Sequence, residues 1–109
     1  MGRAKKTSHD YQIVEEVKAI RDNYFHCESA LRHRLKFSDN DHLKEKIYRE
    51  YINEVDRAMN ELDGISKEII TKEFFYCADP YWWLSTYPKT TYYRNRKEAI
   101  NKFLKAFYA

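Results

Sequence analysis

The sequence predicts an all-α protein made of a few long helices, in which an N-terminal antiparallel helical hairpin is followed by a C-terminal helix-turn-helix. Three observations carry this. Only two Gly and two Pro occur in 109 residues, so the chain has few places to turn. Apolar residues make up 43% of the chain and charged residues 34%, enough for one core and a solvated surface. The apolar positions of the first half recur at steps of three and four, the signature of one helical face.

Between residues 10 and 35 that stripe is Ile13, Val17, Ile20, Tyr24, Cys27, Leu31 and Leu35, with no breaker inside it. Residues 38–41 (Ser-Asp-Asn-Asp) suit a turn and a helix N-cap. A second helix is expected over residues 41–62, with Leu43, Ile47, Tyr51, Val55, Met59 and Leu62 inward. Gly64 stands where a left-handed C-cap is expected. Residues 10–63 therefore read as a hairpin, preceded by a basic tail at 1–9.

The texture changes after Gly64. Ile65, Ile69, Ile70, Phe74 and Phe75 mark a third, shorter helix ending near Tyr76. Asp79-Pro80 is a start signal, because Asp caps free N–H groups and Pro tolerates a first helical turn. Tyr81, Trp82, Trp83 and Leu84 then make a short apolar helix, which Ser85, Thr86, Tyr87 and Pro88 interrupt. A last helix is expected from about Thr90 to Phe107, with Tyr92, Arg96, Ala99, Ile100, Phe103, Leu104 and Phe107 on one side.

Composition narrows the function classes. There is no apolar run of about 18 residues, hence no expected membrane span, and the basic N-terminus lacks the apolar stretch of a secretory signal. Gly2 invites a myristoylation reading, but Lys6 stands where that motif needs Ser or Thr. A cytoplasmic protein without membrane partners is expected. Cys27 and Cys77 show neither metal nor redox spacing and read as buried thiols. His26 and His33 beside Cys27 supply too few ligands for a metal site, so no metal and no cofactor is expected. No phosphate-cradling Gly loop, nucleophile elbow or carboxylate-rich metal set is present, so the chain does not read as an enzyme.

The net charge of +3 hides an asymmetry. Residues 88–105 hold six basic side chains against Glu98 alone, residues 1–9 hold three, and the body between carries net negative charge. A basic end on an acidic body suggests a polyanionic partner for that end. Within residues 64–109, a short helix and a long helix separated by a tight break meet the requirement of a helix-turn-helix. The expected recognition helix, residues 89–105, would enter the major groove of double-stranded DNA. Lys89, Thr90, Thr91, Tyr93, Arg94, Lys97 and Lys102 are its DNA-facing candidates. Arg94 can pair bidentately with guanine, and Tyr92 faces the other way, against Trp82 or Trp83. Basic faces of this kind also occur in ordinary all-α domains. The alternative is thus a helical protein–protein interaction module without a nucleic-acid role.

The segment from Trp82 to Ile100, with its Trp-Trp pair, Tyr87, Thr90-Thr91, Tyr92-Tyr93-Arg94 and the basic run ending in Ala99-Ile100, resembles the C-terminal helix-turn-helix of phage late-gene regulators of the ArpU and RinA kind. Those are themselves similar to sigma factor region 4, and compact mycoplasma-type genomes carry similar short proteins. The resemblance covers about 40 residues. It implies a DNA-binding transcriptional regulator in touch with RNA polymerase, with Thr90, Thr91, Arg94 and Lys97 toward DNA and Tyr92 and Ala99 buried. Pro88 departs from the Ser that usually caps the recognition helix, and the turn lacks a Gly. The hairpin has no counterpart in region 4 and is expected to serve homodimerisation or polymerase contact.

Overall fold

The computed structural model describes residues 3–33, 42–76 and 78–109, with side chains from His9 onward. Leu35, the polar stretch 38–41 and Cys77 lie outside the described residues, as do the basic side chains of residues 3–6. All regular structure among the described residues is helical. The elements are α1 (Arg3–Arg32), α2 (His42–Asn60), α3 (Gly64–Ile70), a π-helical turn continuing α3 (Thr71–Phe75) and α4 (Lys89–Phe107).

α1 already begins at Arg3, so residues 3–9 continue the helix instead of forming a separate tail. Val17, Ile20 and Cys27 of its stripe are buried, and Ile13, Tyr24 and Leu31 half-buried. The partners of α1 on α2 descend as α1 ascends: the Tyr24 hydroxyl donates to Asp56 at 3.1 Å, and the rings of His26 and Tyr48 meet edge to face at 5.8 Å. The inner face of α2 differs from the expected stripe. Val55 and Ala58 are fully buried, whereas Leu43 and Ile47 are 68% and 53% exposed, because no part of α3 or α4 is described against the far end of the α1–α2 pair.

Gly64 is not a left-handed cap. It is the first residue of α3, and Asp63 before it is the N-cap, accepting from the Ser66 N–H at 2.8 Å and the Ser66 hydroxyl at 3.0 Å. α2 ends instead in tight turns, with Leu62 N–H bonded to Met59 O. Closure onto Asp63 also explains why Ser66 is buried while Ile65 is exposed. After Ile70 the hydrogen bonds lengthen by one residue, Tyr76 N–H donating to Thr71 O at 2.8 Å. A π turn widens the face a helix can bury; here Ile69, Ile70 and Phe74 are inward together, with Glu73 and Phe75 at the boundary.

The short helix expected after Asp79-Pro80 is not a regular helix. Asp79 Oδ1 accepts from Tyr81 N–H at 2.8 Å, and successive three-residue turns continue through Trp82, Leu84 and Thr86. Bulky aromatics are indifferent helix formers. Here Trp83 is fixed by donating Nε1–H to Pro80 O at 3.1 Å and by burial. Pro88 then serves as the backbone N-cap of α4 without a side-chain cap bond, so the helix starts at Lys89 and not at Thr90. α4 packs on α3 and also reaches α1 and α2. Its Ala99, Ile100, Phe103 and Leu104 complete the core, and Arg57 Nη2 donates to Ala106 O near its end at 3.1 Å.

Candidate nucleic-acid interface

The face that α4 turns outward is fixed by what anchors its inner face. The Tyr92 ring lies flat on Trp83, with centroids 4.4 Å apart and planes within 4°, and Trp82 meets it edge-on at 5.6 Å. Its hydroxyl hydrogen-bonds Glu73 Oε1. Burial, then the Glu73 bond and charge, push the Tyr92 phenol pKa well up, partly offset by Arg96. Arg96 Nε donates to the other Glu73 oxygen at 2.7 Å, and its guanidinium lies 5.7 Å from the Phe74 ring centre. Tyr92, Glu73 and Arg96 thus lock the rotation of α4 about its own axis against the π turn.

With Tyr92 and Ala99 inward, a step of 100° per residue places Thr90, Arg94, Lys97, Asn101 and Lys105 within an outward arc of about 80°, extending about 22 Å. All five are exposed, as is Lys89. Lys89, Arg94 and Lys105 make no ion pair among the described residues. The other candidates are ion-paired or sit at the flanks. Lys97 pairs with Asp10 of α1 at 3.5 Å, and Lys102 pairs with the α3 cap Asp63 at 2.9 Å. Lys102 and the Ser66 groups hold the Asp63 carboxyl well below the usual carboxylate range. Thr91 is half-buried on the Lys102 flank, not fully outward. Tyr93 is 48% exposed on the Lys97 flank, its ring edge-on to Trp83 at 5.7 Å.

Of the seven residues that the sequence points to, Thr90, Arg94 and Lys97 fall on one surface, Thr91, Tyr93 and Lys102 border it, and Lys89 is exposed at the start of the helix, about 80° beyond the arc. Asn101 and Lys105 belong to the same surface; their signal is the spacing of seven and eleven from Arg94. Glu98 lies at the edge of the arc and dilutes its charge. No family model, curated protein or solved structure matches the chain. No group of three or more His, Cys, Asp or Glu side chains converges among the described residues, and no helix there is long and apolar enough to cross a membrane.

Proposed function

We propose that the chain is a DNA-binding transcriptional regulator of the sigma region 4-like kind, in which α4 enters the major groove. The observation that carries this reading is the division of α4: an inner face locked by Tyr92, and an outer arc with Arg94 and Lys105 free of internal carboxylates. Arg94 and Thr90 near the helix start suit base edges, and Lys89 and Lys105 suit phosphates. In this reading α3, the turns of 79–87 and α4 together act as the helix-turn-helix, with the aromatic turns in place of a regular short helix. RNA polymerase contact is implied by the resemblance to the phage regulators.

Selecting bound fragments from a random DNA pool with the purified protein tests the proposal, and a reproducible enriched motif is expected. Arg94→Ala should then weaken binding by about 1–3 kcal/mol and relax the motif, whereas Lys105→Ala weakens all sequences alike. No enrichment, with binding that ignores both substitutions, sinks it. Exposed Leu43 and Ile47 favour a protein partner for the α1–α2 pair, through self-association or as an interaction module without DNA.

A further inference from the structure

We infer that the cleft between α1, α2 and the π turn is a binding site for a small organic cation of the quaternary ammonium class. The cleft encloses about 510 Å³, within the range of small-molecule sites. One wall holds three aromatic rings. Tyr24, Phe25 and Phe75 stand 5.5–6.0 Å apart, with mutual interplanar angles of 70°, 83° and 72°. The three rings pack edge to face on one another and bring aromatic surface to that wall. Tyr76, 78% exposed, adds a fourth ring at the rim.

The same cleft carries two carboxylates. Asp56 accepts the Tyr24 hydroxyl at 3.1 Å. Glu28 makes no hydrogen bond or ion pair among the described residues, and with Asp56 it helps to raise the Tyr24 phenol to about 12 after burial itself. Lys67, the cation of the lining, is turned to Asn60 Oδ1 at 3.3 Å. Ring faces with nearby negative charge attract a cation, and alkyl groups on that cation bury against the rings. Anions are disfavoured by the carboxylates, and a bare metal ion finds no convergent ligand set there. No residue of α4 lines the cleft, so this site stands or falls separately from the DNA reading.

Proton NMR with tetramethylammonium chloride decides it, with sodium chloride at matched ionic strength and tert-butanol as the neutral analogue of similar shape. The methyl signal should move upfield saturably, with cross-peaks to the rings of Phe25, Phe75 and Tyr76, and tert-butanol should bind at least tenfold more weakly. Glu28→Gln, at a half-buried position, and Tyr76→Leu, at an exposed one, both checked for an unchanged amide spectrum, should each weaken binding about three- to tenfold. Equal binding of tert-butanol, cross-peaks to rings elsewhere, no saturable shift, or indifference to both substitutions overturns the inference.

Discussion

Tyr92 is asked to do two things at once, to fill the core beside Trp83 and to hold Glu73 by a hydrogen bond. The two can be separated. Tyr92→Ala should cost about 3–5 kcal/mol, as truncation of a buried aromatic does, and Tyr92→Phe about 1–2 kcal/mol, because only the hydrogen bond is lost. Urea denaturation of both variants checks this; equal costs would mean that the ring adds nothing beyond the hydroxyl. Its neighbour Thr91 lies on a half-buried flank. Thr91→Ala should therefore change stability by less than about 1 kcal/mol while altering the selected DNA motif. The inward orientation of Tyr92 was legible in the sequence because Tyr92, Ala99 and Phe103 share one helical face. Its bond to Glu73 was not, since Glu73 is brought there by a π turn that no residue type announces.

At the scale of elements, Asp63 joins three of them. It comes after α2, caps α3 and binds Lys102 of α4. Its carboxyl titrates lower in the folded chain than the ordinary value of 3.8. Its contribution to stability is thus fully present above about pH 4 and is lost as pH falls through the depressed folded value. Denaturation midpoints between about pH 5 and 2 should decline, and Asp63→Asn, which keeps a capping oxygen, should flatten that decline. A variant that loses stability as steeply as the parent would exclude Asp63 as the source. The expected left-handed Gly64 cap missed this joint: a Gly after a helix is ambiguous when Asp precedes it and Ser stands two residues later, since that pattern equally starts a helix. The turns of 79–87 were half legible. Asp79-Pro80 does start a turn, but the path of the chain from Tyr81 to Tyr87 is decided by side-chain stacking, which periodicity does not register.

The whole molecule is long, 54 × 32 × 24 Å, with a radius of gyration of 16.5 Å against about 13 Å for a compact chain of this size. The excess comes from α1, 30 residues in one helix, whose pairing with α2 leaves Leu43 and Ile47 uncovered. If this end joins two copies, sedimentation should show a dimer that Leu43→Lys with Ile47→Lys dissociates while the melting temperature holds; a monomer at every concentration rules that out. Salt dependence speaks for the other end. Three unpaired cations predict a slope of log affinity against log salt of about −3, and five predict about −4.5. The steeper value means that DNA displaces Asp10 and Asp63 from Lys97 and Lys102. Asp10→Asn should then tighten binding without changing the preferred motif; unchanged affinity would leave Lys97 outside the interface. The apolar stripes gave the long helices away because burial and period coincide there, whereas these cross-helix pairs of opposite charge depend on the packing angle and leave no mark in spacing.

The flat stack of Trp83 on Tyr92 also makes the protein its own optical reporter. Both indoles of the chain flank that one phenol, while the other nine tyrosines are spread along it. Light absorbed by tyrosine and passed to tryptophan is therefore emitted from the seam between α4 and the turns before it. Rings held within 4° of parallel should couple their transitions into a strong near-ultraviolet dichroic band. Loosening of α4 would quench that band and redden the emission while the far-ultraviolet helix signal of α1 and α2 stays intact.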